Sequence, residues 1–350
     1  MNAPTGAAAD ERERLLGLVN AGWTTQAIGA AVRLGLPLAL AKGARDVDAM
    51  AATTATHAPS LRRLLDALAT LGLVADDGRG SWSLVGAGCL LLPDVDGSLA
   101  AWADFCAGAS WDAWRRLDDC VRTGASQRSR LGFAHLDDDA AAAGLFNRAM
   151  RDLTAPIAAA FAERVDLGQN ARVVDVGGGE GELLAGLLSR HLQATGRVFD
   201  LAHAADAAKR RFAERGLNER ASFVAGDFFA AVPGNADVYL LKSVLHDWAD
   251  DDAVRILRSV AGAMSPSARL FVLERLRPEP AGSSPIDRAI ARSDLNMMVA
   301  TGGMERSEAM YRQLLEASGL HARGTLALMP GYGSIEASLL GRESVDARSP

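Results

Sequence analysis

Through residue 165 the apolar positions recur every three to four residues; from Ala171 onward they gather into short runs separated by helical stretches. The two parts therefore predict different architectures. Residues 23–40 read as one helix and 47–53 as a second, after a break at Gly43. A third is expected from an N-cap at Ser60, with Leu61, Leu64, Leu65, Leu68 and Leu71 on one face. Residues 72–75, the turn signal Asp77-Gly78 and the alternating Ser81-Trp82-Ser83-Leu84 then predict a hairpin. Three short helices followed by a hairpin spell a winged helix-turn-helix.

Residues 99–165 read as a mostly helical connector with apolar residues around Trp102, Phe105, Trp111, Trp114, Phe146 and Met150. Three tryptophans within 13 residues suggest the core of a domain or dimer interface, or the wall of a pocket for a flat aromatic ligand. Beyond Ala171, strands are predicted at 172–176, 198–201, 222–225, 238–241 and 270–273, with weaker ones at 324–328 and 334–338. Helical patterns intervene at 183–192, 205–214, 252–264 and 307–318. Such alternation specifies an α/β fold with a largely parallel, doubly wound sheet and ligands at the carboxyl ends of its strands. The expected organisation is residues 10–95, a connector over 96–165, and the α/β part over 166–341. Residues 1–10 and 342–350 are expected to be frayed ends.

Charge narrows the function classes. A net charge of −6 with both signs interspersed gives no general surface for polyphosphate, so nucleic acid is not an expected partner. No stretch approaches the ~18 apolar residues that cross a bilayer, and the Ala-rich start runs into Glu11, Arg12, Glu13 and Arg14, so neither a membrane span nor a signal peptide is expected. Cys89, Cys106 and Cys120 lack the spacing of a disulfide framework or zinc ribbon, which fits the cytoplasm. Only Lys42, Lys209 and Lys242 are lysines, which gives weight to Lys242 at a strand end.

The strongest local signal is Val173-Val174-Asp175-Val176-Gly177-Gly178-Gly179-Glu180-Gly181, a buried strand running into a glycine-rich turn and a helix. A ligand close to the backbone needs glycine there, but the turn alone fits a dinucleotide, a flavin or an adenosyl cofactor. Asp200, about 20 residues past the glycines, is placed to accept from both ribose hydroxyls. Gly226-Asp227-Phe228 closes the third strand with a carboxylate for an adenine amine and a ring to cover the base. After the fourth strand comes Lys242-Ser243-Val244-Leu245-His246-Asp247-Trp248. His246 alone among six histidines is placed for chemistry; His57, His135, His191, His203 and His321 read as solvated loop or helix-end residues. An imidazole acting as base needs carboxylates to orient it, and Glu274 and Glu305 are the candidates, Glu305 having pairing with Arg306 as its alternative role.

In these blocks, together with Asp294-Leu295-Asn296-Met297-Met298 and Gly302-Gly303-Met304-Glu305-Arg306, residues 10–340 resemble the bacterial branch of the S-adenosylmethionine-dependent O-methyltransferases typified by caffeic acid and hydroxyindole O-methyltransferases. The resemblance implies a Rossmann-like methyltransferase domain behind a winged-helix dimerisation domain that does not bind DNA. It further implies that Asp175, Gly177 and Gly179 lie around the methionine part of the cofactor, Asp200 at the ribose, Gly226, Asp227 and Phe228 at the adenine, and Lys242 on the adenine side. His246 would be the general base, oriented by Glu274 and Glu305. Phe146, Met150, Asp247, Asn296, Met297 and Met298 would line the acceptor site. Ala202 and Ala249 depart from the family pattern, where a proline and an acid are common.

The implied reaction is in-line methyl transfer to a phenolic or enolic hydroxyl of a small aromatic or polyketide-type metabolite, by a homodimer, with no metal and a base of pKa near ~7. A phenol of pKa ~10 is mostly protonated at neutral pH and requires such a base. A relative keeping the cofactor for hydroxylation, decarboxylation or a pericyclic step is the alternative, with less need of an oriented base. A winged-helix transcription regulator fits less well, since residues 46–95 hold three arginines against six aspartates.

Overall fold

The computed structural model describes residues 6–43, 45–128 and 139–340; His135 and much of both termini lie outside this range. The chain divides into two compact units, Met1–Asp112 with Arg148–Asp152, and Ala113–Asn147 with Leu153–Pro350.

In the first unit, the helix expected over 23–40 is instead two, Gly6–Arg33 and Leu36–Ala41. Gly35 adopts φ 70, which ends the first, and Pro37 in the opening turn starts the second, where its missing N–H costs nothing. The next helix, Val47–Thr54, is capped by Asp46, whose side chain accepts from the Ala49 N–H. The third, Ala58–Thr70, begins before Ser60: Pro59 sits in the first turn, His57 takes the N-cap position, and the Ser60 hydroxyl lies 3.1 Å from His57 Nδ1. Strands β1 (Val74–Asp76) and β2 (Trp82–Leu84) pair antiparallel, and Asp76 and Asp77 accept four backbone N–H groups across their connection. Met50, Leu61, Leu65, Leu68 and Trp82 form the core of this winged-helix arrangement.

The second unit is built on seven strands: β3 (Arg172–Val176), β4 (Thr195–Asp200), β5 (Ala221–Ala225), β6 (Val238–Lys242), β7 (Arg269–Arg275), β8 (Leu320–Met329) and β9 (Tyr332–Leu339). Their order is β5-β4-β3-β6-β7-β9-β8, the first five parallel and the last two antiparallel. Alternate residues supply two apolar layers, Val173, Leu240 and Leu273 on one face and Val174, Val176, Tyr239 and Leu241 on the other. The strand order reverses between β3 and β6, so their carboxyl ends flank the crevice where doubly wound sheets bind ligands. Among the described residues no helix is long and apolar enough to cross a membrane.

The helix Pro285–Ala300 has no counterpart among the elements expected from sequence. Its start is nonetheless written locally. Ser284 accepts from the Asp287 N–H, Asp287 accepts from the Ser284 N–H, and Pro285 occupies the first turn. Ser284→Ala removes one arm of this box and is expected to cost about 1 kcal/mol in urea unfolding; an unchanged midpoint would show that packing alone fixes the helix start.

Candidate active site

Strand β3 passes into the helix Glu182–Arg190 through Gly177 and Gly179, both left-handed, with φ 70 and 54. A side chain on Gly177 would stand 2.7 Å from Val244, whereas no atom lies within 4 Å of the corresponding position on Gly179. Gly179 thus presents bare backbone to open space, as a ligand cradle requires. Its N–H donates to Asp200 Oδ2 at 2.7 Å, and Leu201 N–H donates to Oδ1 at 2.6 Å. Asp175 is buried. Burial, and then the Asp200 charge, push it up to about 7 against the pull of Lys242 and of the Leu184 N–H. A buried acid with so few partners beside an open glycine backbone fits a ligand carrying N–H donors or positive charge, such as an adenosyl amino acid.

At the neighbouring strand ends, Gly226 packs so close to the Phe199 ring that a side chain would collide with it. Asp227 is exposed and accepts from the Phe229 N–H at 2.8 Å. Phe228 meets Phe229 and Trp248 edge-on, with centroids 5.0 and 5.9 Å away. Lys242 ends β6 with β3 and β4 between it and the strand leading to Asp227. Its amine donates to Thr154 at 2.8 Å, and burial lowers it to about 8, opposed by Glu274 and Asp175.

His246 follows β6 on a single tight turn, Leu245–Asp247. Its Nδ1 lies 3.4 Å from Glu305 Oε2 and 3.5 Å from Glu274 Oε2, and its Nε2 lies 3.8 Å from Asp247 Oδ1. Glu274 and Glu305 are 0 % and 1 % exposed. The other Glu274 oxygen accepts from the N–H groups of Val244, Leu245 and His246. Glu305 accepts from the Ser293 hydroxyl at 2.6 Å, while its own N–H donates to Asp294. One nitrogen and two carboxylate oxygens therefore lie within 4.8 Å of one another, a donor set that could also hold a metal. The two carboxylates named from sequence as partners of His246 thus do meet its Nδ1, although the three residues come from separate segments.

The surroundings of His246 correct the expectation of a near-neutral base. Burial, the largest single influence, lowers its pKa, but Glu274, Asp247 and Glu305 together outweigh burial and raise it to about 10. Burial lifts Glu274 to about 7, whereas for Glu305 the imidazole, Ser293 and Arg275 overcome burial and lower it. Since the ordinary imidazole value is ~6.5, the ring's contribution to stability is full below that pH and is lost as pH rises toward about 10.

The acceptor residues implied by resemblance are dispersed. Asp247 is buried beside His246, and Asn296 Oδ1 accepts from Trp114 Nε1 at 2.8 Å. Met298 packs with Trp114 and Leu117, and Met297 is buried on the same helix. Phe146 belongs to the second unit and Met150 to the first. In the first unit Trp102 stacks on Phe105 and Trp111 covers Gly22, and in the second Trp114 meets Asn296. Arg306 does not pair with Glu305; it is fully buried and bonds Asp250. The expectation of solvated histidines also needs amendment at His191, whose Nε2 is buried without a partner. Sequence reasoning missed Ser293, Asp294 and Thr154. The capping box before residue 285 could have placed the first two on a helix; nothing local marks Thr154.

Two family models match the chain, an O-methyltransferase dimerisation domain over residues 16–94 and an O-methyltransferase domain over residues 114–321. The mitomycin biosynthesis 6-O-methyltransferase of Streptomyces lavendulae is 39 % identical over 333 residues, 93 % of each chain. The O-demethylpuromycin-O-methyltransferase of Streptomyces alboniger is 38 % identical over 314 residues, 88 % of this chain and 83 % of its own. A solved mitomycin 7-O-methyltransferase superposes with TM-score 0.86 at 37 % identity, covering 96 % of this chain and 100 % of that one. The doubly wound sheet, the open glycine turn at its switch point and these likenesses along nearly the whole length agree, and the chain belongs to the O-methyltransferase family.

Proposed function

We propose that this chain is an S-adenosylmethionine-dependent O-methyltransferase that methylates a phenolic or enolic hydroxyl of a small aromatic or polyketide-type metabolite, with His246 as general base. The observation that carries the reading is an imidazole whose Nδ1 is flanked by two buried carboxylates, leaving Nε2 for the acceptor hydroxyl. When bound, the cofactor supplies an electrophilic methyl group on a positively charged sulfur, a charge that opposes protonation of the nearby base. Gly177, Gly179 and Asp175 would hold its amino-acid part, Asp200 the ribose, Gly226, Asp227 and Phe228 the adenine, and Lys242 would balance charge between Asp175 and Glu274.

The chain's own work is alignment and proton transfer. Orientation of the reacting atoms is worth up to ~7–11 kcal/mol, and a positioned base adds about 10²- to 10⁴-fold. His246 Nε2 takes the hydroxyl proton, while Glu305 and Glu274 fix the tautomer and stabilise the imidazolium that forms. This oriented base favours methyl transfer over reactions that keep the cofactor without deprotonating an acceptor. Asp247, Asn296, Met297, Met298, Phe146 and Met150 are proposed to face the acceptor. The relatives named for mitomycin and puromycin steps support an antibiotic-type acceptor. Leu18, Val19 and Trp23 are exposed on the first helix within the dimerisation-domain match and offer an apolar face for a second copy, so we propose a cytoplasmic homodimer.

Four outcomes test this reading. His246→Gln should lower kcat by about 10²-fold or more with S-adenosylhomocysteine affinity intact, read by mass spectrometry of a hydroxylated-aromatic panel and by calorimetry; full methylation by this variant removes His246 from the mechanism. Because the carboxylates raise His246 and the base must be unprotonated, the acid limb of kcat/KM should lie above pH ~6.5. Glu305→Gln removes one of those charges and should move that limb to lower pH; a limb that stays in place assigns the titration to another group. Gly179→Ala should cost only about 1–2 kcal/mol of stability, from its left-handed backbone, yet weaken cofactor binding at least tenfold; unchanged affinity would show that no ligand approaches this turn.

A further inference from the structure

The turn carrying His246 is gripped from both polarities by two buried, oppositely charged side chains. Glu274 Oε1 collects the N–H groups of Val244, Leu245 and His246. On the carbonyl side stands Arg306, which is 0 % exposed. Its Nη1 donates to Leu245 O at 2.9 Å and its Nη2 to Trp248 O at 2.7 Å. Nε and Nη2 also donate to Asp250 Oδ1, at 2.9 and 2.6 Å. Of the two carbonyls between them, that of His246 accepts from the Met304 N–H at 2.9 Å. That approach depends on Gly303, where any side chain would collide with the same carbonyl oxygen.

A single turn satisfies few of its own backbone groups: here only Asp247 N–H to Val244 O and Trp248 N–H to Leu245 O, at 3.1 and 3.3 Å. Its rotation about the strand end is therefore set from outside. We propose that Arg306 is a positioning residue for proton transfer, holding the carbonyls on either side of His246 and Asp247 so that the imidazole stays between Glu274 and Glu305. A guanidinium suits this work, since its planar fork reaches two carbonyls and a carboxylate together, which an ammonium on a flexible stem cannot do. Asp250 supplies the counter-charge that a buried cation needs. The inference rests on the reading of His246 as base.

The test is a ¹⁵N NMR titration of the His246 ring in Arg306→Lys, beside S-adenosylhomocysteine calorimetry and thermal unfolding. In the folded variant the loosened turn carries the ring away from its carboxylates, so the titration midpoint should fall by about one unit or more, a tenfold change in proton affinity, with cofactor-product affinity within about twofold. Asp250 is half-exposed, so Asp250→Asn provides a second variant that keeps the fold while freeing the guanidinium; its midpoint should fall in the same direction by less. A midpoint unmoved in both variants overturns the proposal. So does a parallel loss of ligand affinity and thermal stability with the midpoint fixed, because Arg306 would then serve the fold alone. The His246→Gln activity measurement bears separately on the base, so an active His246→Gln enzyme and an unmoved Arg306→Lys titration are distinct failures.

Discussion

Negative charge gathered in a dry place is the constraint around which the second unit is arranged. Glu274, Glu305 and Asp247 are all buried within about one turn of a single imidazole. Burial pushes Glu274 and Asp247 toward protonation, with the imidazole pulling against it in both. Only Glu305 is held low against burial, by His246, the Ser293 hydroxyl and Arg275, while Glu274 Oε1 accepts three backbone N–H groups. The doubly wound sheet supplies the means, since β6 and β7 are neighbours and their carboxyl ends bring His246 and Glu274 together without any sequence proximity.

The same edge carries a second acid at Asp175, buried and influenced by Lys242, which also acts on Glu274. Two acidic places joined by one lysine make a surface that favours a positively charged small molecule over a phosphate-bearing one. A dinucleotide and a flavin shared the glycine-rich turn as alternatives on sequence alone. A sulfonium amino acid would favour the ionised form of Asp175, which burial otherwise pushes up to about 7, whereas a phosphate beside it would push that carboxyl further up.

Legibility in the sequence followed the range of the interactions. Strands β3 and β6 were readable because each is a buried apolar run ended by a sharp change of composition, a property carried by five adjacent residues. His246 and Glu274 were readable as chemical types at strand ends, and Glu305 as an acid after Gly302-Gly303. Their effect on one another was not, because a pKa depends on distances that only the folded sheet creates. The helix Pro285–Ala300 shows a different limit: its amphipathic signal is weak, so its existence is written in the four residues of its capping box rather than in the periodicity that follows. Arg306 had no readable signal, since neither periodicity nor neighbouring charge announces that an arginine will be buried against carbonyls 58 to 61 residues away.

On the proposed reading, chemistry and acceptor choice are carried on different but connected elements. His246 follows β6 and Glu274 ends β7, tied together by backbone hydrogen bonds, whereas Glu305 lies in the segment after the helix Pro285–Ala300 and is held by Ser293 and Arg275. The helix Pro285–Ala300 bridges the two tasks: Ser293 and Asp294 hold Glu305, and one turn further on Asn296 engages Trp114 while Met298 packs beside it. A helix places residues three apart on one side, so a change at Asn296 that shifts the helix is transmitted to Ser293 and from there to the carboxylate that holds the imidazole. If Met298 and Asn296 face the acceptor as proposed, specificity is tuned most readily through side chains such as Met298, which can change shape without disturbing the hydrogen bonds to Glu305, whereas substitutions that strain the Trp114–Asn296 bond also reach the carboxylate beside His246.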